Sequence, residues 1–152
     1  MIKSQGESPI MFNVSNNDII TITRGDTAAT ELVINLGTML DPLVYDLGTE
    51  DKVFLGVCEP NMRFEQAIIK KVFTYKDFDY ANHCVRIRFN SIDTEFLLPG
   101  TYYYSIKLYR PSTDTITYEM EDDDPEKLSE VETHLNEKVD TLIDRKKFII
   151  LE

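Results

Sequence analysis

The stretch that decides the fold class is residues 84–90, which read Cys84-Val85-Arg86-Ile87-Arg88-Phe89-Asn90. From Val85 onward its side chains alternate strictly, with Val85, Ile87 and Phe89 on one side and Arg86, Arg88 and Asn90 on the other. Successive side chains of a strand point to opposite faces, so this period of two predicts a β-strand with one face in a hydrophobic core. Strands with one dry and one wet face are typical of antiparallel sheets.

The same alternation recurs in three other segments. Their predicted inward faces are Leu32, Ile34 and Leu36; Val53, Leu55 and Val57; and Tyr102, Tyr104, Ile106 and Leu108. Shorter β-like segments cover residues 19–23, 66–75 and 147–151. No helical pattern alternates with these strands, which argues against a doubly wound α/β fold. Short strands divided by turn residues predict an all-β fold, an antiparallel β-sandwich of about seven or eight strands.

The length of 152 residues fits one hydrophobic core. We expect residues 1–9 to form a flexible N-terminal arm and residues 10–152 to form a single β-sandwich domain. Within that domain, residues 111–137 change to an acidic, helix-like composition. The sequence therefore predicts a loop-helix insertion ahead of the last strands.

The predicted helix of the insertion runs from about Pro125 to Glu137. Asp124 suits an N-cap and Pro125 suits the first helical position. The apolar residues that follow helical spacing are Leu128, Val131 and Leu135. Leu142 continues that spacing, so the residues alone leave 139–143 open between helix and strand.

The formal net charge is −11, and nine acidic residues against one lysine place −8 of it between Glu119 and Glu137. We expect no binding to nucleic acid or to an anionic membrane, because each phosphate contact requires a cation. The acidic residues, including Glu121, Asp122 and Asp123, instead predict a partner with a basic surface. No apolar run is long enough to span a membrane, and the N-terminus lacks a signal-peptide pattern. We expect synthesis and assembly in the cytoplasm.

Two turn motifs have an explicit chemistry. Arg24-Gly25-Asp26-Thr27 places a glycine where the chain can reverse, and Asp26 can bond its own backbone. The tripeptide within it is known from integrin ligands, but between two predicted strands a tight turn is the better interpretation. Pro99-Gly100 has the residue order of a type II turn.

The sequence contains few candidates for catalytic residues or metal ligands. Asp46 and Asp93 lie at predicted turns, where carboxylates cap backbone groups, so a hydrolase is the weakest hypothesis. Neither a Gly-x-Ser-x-Gly motif nor a phosphate-binding loop occurs. The run Glu121–Asp124 lacks the alternating oxygens and glycine bend of calcium loops, and neither histidine has zinc-site spacing. The sequence predicts a protein that is not an enzyme and holds no metal or cofactor.

Two cysteines, Cys58 and Cys84, are expected to be reduced, buried thiols. Tyr103 and Tyr109 fall on the predicted outer face of their strand, where they could contact a protein partner or a sugar.

Several of these segments follow one another in an order typical of one family. The segments are Ile22-Thr23-Arg24-Gly25-Asp26-Thr27; Tyr45-Asp46-Leu47 before Asp51–Val57; Asp93-Thr94 with Leu98-Pro99-Gly100-Thr101-Tyr102-Tyr103-Tyr104; and Val139–Ile143 with Lys147–Leu151. Over residues 19–151 the chain resembles the small Ig-like domains of phage and prophage tail proteins of Gram-positive hosts, such as the N-terminal domain of upper baseplate proteins. The insertion at 111–137 departs from that pattern.

The resemblance implies an Ig-like β-sandwich in which Arg24–Thr27 and the corner formed by Asp93, Thr94, Pro99 and Gly100 are structural. It also implies that residues 139–143 belong to the sheet. The expected function is a non-catalytic structural protein of a virion, in the tail or baseplate, that docks on other phage structural proteins and can form a homo-oligomer. The alternative is a carbohydrate-binding module that recognises a cell-surface glycan through Tyr103 and Tyr109.

Overall fold

A computed structural model describes residues 2–4, 12–14, 17–38, 40–111 and 139–152, with 2–4 and 12–14 described by their backbone. These ranges contain ten strands. They are β1 (Ile2–Ser4), β2 (Phe12–Val14), β3 (Ile20–Thr23), β4 (Ala28–Leu32), β5 (Lys52–Cys58), β6 (Ile69–Phe73), β7 (Phe78–Asp79), β8 (Cys84–Phe89), β9 (Gly100–Tyr109) and β10 (Val139–Leu151). The helical elements are α1 (Ser91–Thr94) and two short 3-10 helices, Phe64–Gln66 and Tyr75–Asp77. The prediction of an all-β fold is confirmed.

The strands form two sheets. One has the order β1-β4-β8-β7, and the other has the order β2-β3-β10-β9-β5-β6. One pairing is parallel, because β10 runs beside β3 with Phe148 opposite Ile20 and Leu151 opposite Thr23. The prediction of wholly antiparallel sheets is therefore wrong at this pair.

The period-two alternation identified the inward faces of β8 and β9 correctly. In β8, Val85, Ile87 and Phe89 are buried while Arg86 and Arg88 are exposed. In β9 the inward residues Tyr102, Tyr104, Ile106 and Leu108 are likewise buried. The two C-terminal β-like segments are parts of one strand, β10, which pairs with β9 along its length through two register shifts.

Residues 2–4 of the predicted arm form β1, which pairs with β4. The predicted helix from Pro125 to Glu137 lies outside the described residues.

Both sheets contribute to one hydrophobic core. Phe148 of β10 is fully buried and contacts both layers. Its ring centroid lies 5.3 Å from that of Phe89, in the four-stranded sheet, and 6.3 Å from that of Tyr104, in the six-stranded sheet. The Tyr104 hydroxyl donates to the Asp18 carbonyl, so the polar end of this buried ring has a partner.

The outer face of β5 is also buried, contrary to the expectation of one wet face per strand. Phe54, Gly56 and Cys58 point away from the main core, yet all three are buried. Residues 59–68 fold back over this face and place the Phe64 ring against Gly56, where an added Cβ would lie 2.9 Å from it. This close approach favours glycine, because a side chain at position 56 would push the Phe64 ring away from the strand.

Arg145 binds residues 59–68, which form the cover over the outer face of β5. It occupies a bulge of β10 with φ +48°, and its backbone N–H donates to the buried Ser105 hydroxyl at 3.0 Å. Its guanidinium donates to the carbonyls of Pro60 at 2.7 Å and Met62 at 3.1 Å. The bulge therefore aims a long side chain across the sheet, a common use of this irregularity.

Candidate functional site

The turn at Arg24–Thr27 lies against Thr94, in the corner that follows β8. Arg24-Gly25-Asp26-Thr27 joins β3 to β4, and Gly25 has φ +81°. The Gly25 N–H donates to the Thr94 hydroxyl at 2.9 Å, and the Arg24 N–H donates to the Leu151 carbonyl at 2.8 Å. Thr94 is fully buried, so this hydrogen bond links the turn to the corner that follows β8.

We expect Thr94→Val to lower the free energy of unfolding by about 1–2 kcal/mol, because the shape is kept while the Gly25 N–H loses its acceptor. Urea titration followed by far-UV circular dichroism measures the change. Thr101→Val is the matched control, since Thr101 is exposed on β9. Equal stability of the two variants would contradict a role for the Thr94 hydroxyl.

Asp93 fixes the same corner from the other side. Its carboxylate accepts the Asn90 N–H at 2.7 Å and the Lys71 ammonium at 2.9 Å, with both charged side chains about 15% exposed. The corner ends at Gly100, whose φ of +152° differs from the roughly +80° of a type II turn, so that prediction for Pro99-Gly100 is wrong. The Leu98 carbonyl instead accepts the Tyr102 hydroxyl at 2.6 Å.

The corner presents apolar side chains that sequence reasoning missed. Ile92, Phe96 and Leu98 are 65%, 82% and 76% exposed. Ile92 lies within α1, and Phe96 lies in the turn just after it. The sequence did contain a signal for this site, because Ile92, Phe96 and Leu98 are apolar residues that lie outside every predicted strand.

A second exposed apolar site lies at the opposite end of the strands. β4 runs from Ala28, opposite Phe89, to Leu32, opposite Val85, so the loop after β4 and the corner after β8 are far apart. In this loop Leu40 is 98% exposed and Leu43 is 62% exposed. The loop is internally bonded, since the Asn35 side chain accepts the N–H groups of Gly37 and Leu43, each at 2.9 Å. The exposed leucines therefore lie in a loop whose backbone is tied to the Asn35 side chain.

Tyr103 and Tyr109, which were predicted to face outward, do not form one exposed aromatic surface. Tyr109 is only 5% exposed and packs with Phe54, so the prediction that it faces a partner is wrong. Tyr103 is half-buried, and the Arg145 guanidinium lies over its ring at 5.1 Å from the centroid. Phe64, Val72 and Val139 pack against the cluster of Phe54 and Tyr109.

The predicted partner-binding acids Glu121, Asp122 and Asp123 lie outside the described residues. The structure does describe the residues that flank their segment on either side, at the end of β9 and the start of β10. Arg110, just after β9, pairs with Asp140 of β10 at 2.6 Å. Its guanidinium also lies over the Tyr45 ring, 5.5 Å from the centroid.

Tyr45 belongs to a polar cluster beside that base. Its hydroxyl donates to the Asp51 carboxylate, which also accepts the Gly48 N–H at 2.8 Å. Burial, and then the hydrogen bond to Asp51, raise the pKa of Tyr45 from 10.0 to about 12. Burial also raises the pKa values of Tyr102, Tyr104 and Tyr109.

These shifts predict a loss of stability in alkali. A phenol whose pKa is higher in the folded than in the unfolded state contributes stability that is complete below pH 10 and declines as the pH rises towards 12. Urea titrations across this pH range should therefore show falling stability. Tyr45→Phe should reduce the slope, because its side chain cannot ionise. An unchanged slope in this variant would contradict the contribution of Tyr45.

The other titratable residues that the sequence suggested are the two cysteines and Asp46. Cys58 and Cys84 are unpaired and buried, and burial raises the pKa of both thiols. The Cys58 thiol donates to the Arg63 carbonyl at 3.2 Å. Asp46 pairs with the His83 ring at 2.9 Å on the surface. Within the described ranges, no three such side chains come together as a metal site.

No protein-family model, curated protein or solved structure matches this chain. Among the residues that the structure describes, no helix is long and apolar enough to cross a membrane.

Proposed function

We propose that this chain is a non-catalytic Ig-like β-sandwich that takes a structural place in a phage or prophage particle, in the tail or baseplate, by docking on neighbouring proteins. The observation that carries docking is the pair of exposed apolar sites at opposite ends of the strands, around Phe96 and Leu40. Exposed apolar side chains that group together at one place on a surface are typical of protein interaction sites. The phage assignment is supported by the ordered set of segments that resembles tail Ig-like domains.

The strand order supports the Ig-like topology. If β1, β4, β8 and β7 are taken as strands A, B, E and D, the first sheet has the order A-B-E-D. The second sheet then has the order G-F-C-C′ in β10, β9, β5 and β6, with β3 and β2 added beside G. Tyr102, near the start of strand F, bonds the backbone four residues upstream, as the tyrosine corner of this fold does.

The assignment is tested by mass spectrometry of particles purified after prophage induction of the source strain. We expect this chain at a stoichiometry comparable to other tail proteins, while abundant host enzymes fall to trace levels. Presence in the lysate with absence from purified particles would contradict a structural role.

Docking through the corner is tested by Phe96→Ser with Leu98→Ser. We expect incorporation into particles to fall about tenfold, because two exposed apolar contacts are lost without disturbing the core. Ile68→Ser is the matched control, an exposed apolar residue (41%) away from the corner. Normal incorporation of the double variant would remove the corner as a docking site.

A further inference from the structure

We propose that the open edge of β8 receives an extended acidic segment of a partner protein, which adds as a strand beside Arg86 and Arg88. This inference rests on the proposed docking function and adds the surface and the chemistry of the partner. β7 pairs with β8 at Cys84 and Val85 only, whereas β8 continues to Phe89. Residues 75–77 form a 3-10 helix instead of extending β7 along its neighbour.

The unpaired part of β8 borders open space. A surface cleft of about 430 Å³ lies there, lined by Lys76, Asp77, Phe78, Asp79, Arg86 and Arg88. A second cleft of about 260 Å³ lies on the other side of the two arginines, beside Ala29 and Asn90. Among the described strands, β8 has a partner beyond Val85 on its β4 side alone. An exposed edge of this kind can pair with an added strand through backbone hydrogen bonds.

The side chains at this edge select an acidic partner. Arg86 and Arg88 point outward two positions apart and are exposed. Arg86 pairs with Asp79 at 3.2 Å, but Arg88 makes no ion pair with any residue that the structure describes. Lys76 is also exposed beside the cleft. Carboxylates at alternate positions of an added strand would lie opposite these cations.

Nucleic acid is a poor occupant for this edge. Only a polypeptide can pair with the backbone groups of β8 as an added strand does.

The probe is a short synthetic peptide of alternating threonine and glutamate, capped at both ends, titrated by calorimetry at low salt. We expect it to bind at least about tenfold more tightly than the matching threonine–glutamine peptide, because its carboxylates face Arg88 and Lys76. Arg88→Glu should weaken its binding about tenfold. Arg63→Glu is the matched control, since its side chain is 81% exposed beyond the other sheet. N-methylation of alternate amides of the peptide should also abolish binding.

Four results would overturn the proposal. Three come from calorimetry: no binding at millimolar peptide, equal binding of the glutamine peptide, and an equal loss of affinity in Arg63→Glu. The fourth comes from NMR, if the amide chemical shifts that change on addition of the peptide do not include those of residues 76–79 and 86–89. Self-association of the unmodified chain that Arg88→Glu abolishes would assign the edge to a second copy instead. Failed peptide binding with normal incorporation into particles removes this surface alone, whereas binding without incorporation removes the particle assignment.

Discussion

Phe148→Ala is expected to lower the free energy of unfolding by about 3–5 kcal/mol, the cost typical of removing a buried aromatic ring. Phe148 is fully buried on β10, and its ring contacts Phe89 across the core and Tyr104 beside it. Truncation leaves a cavity between the two sheets. The sheets cannot close over it without moving the parallel pairing of β10 with β3, in which Phe148 lies opposite Ile20.

Urea unfolding followed by far-UV circular dichroism and tyrosine fluorescence measures this loss, since the chain has no tryptophan and eight tyrosines. Phe96→Ala is the matched control, because the same side chain is 82% exposed there. We expect that variant to stay within about 0.5 kcal/mol of the unmodified chain. A loss for Phe148→Ala no larger than that of the control would show that the ring does not join the sheets.

The inward faces could be predicted because each depends on one local property, the alternation of side chains along a strand. In β8 and β9 every residue assigned to the core is buried. The outer faces could not be predicted in this way, since their burial depends on which distant segment covers them. The apolar Phe54 and Cys58 at outward positions of β5 were a signal, because a strand buried on both faces has a nearly continuous apolar run.

At the candidate site, too, the features that could not be predicted from the sequence are contacts between distant segments. The turn at Gly25 and the corner at Asp93 were each predictable from residues that favour turns and caps. Their mutual contact, from the Gly25 N–H to the Thr94 hydroxyl, joins positions 69 residues apart, and no local pattern encodes it. The parallel pairing of β3 with β10 is equally non-local. Tyr109 failed as a candidate because it packs in a cluster with Phe54 that Phe64, Val72 and Val139 flank, and these residues are distant in sequence.

Asp93→Ala is expected to lower the free energy of unfolding by about 2–3 kcal/mol, which is the second largest effect we anticipate. Loss of the acceptor for the Asn90 N–H costs about 1 kcal/mol, as the removal of a helix cap does. The remainder comes from Lys71, whose ammonium loses the carboxylate 2.9 Å away while its side chain is only 16% exposed. A charge left without a partner and with little water is costly.

The two contributions can be separated by a double-mutant cycle with Lys71→Met, measured by urea unfolding. If the unpaired ammonium causes the larger part, Asp93→Ala combined with Lys71→Met should be about 1 kcal/mol more stable than Asp93→Ala alone, because methionine needs no counter-charge. Asp144→Ala is the control for loss of an exposed carboxylate. A double variant no more stable than Asp93→Ala would assign the loss to the cap, and Lys71 would then be a bystander at this corner.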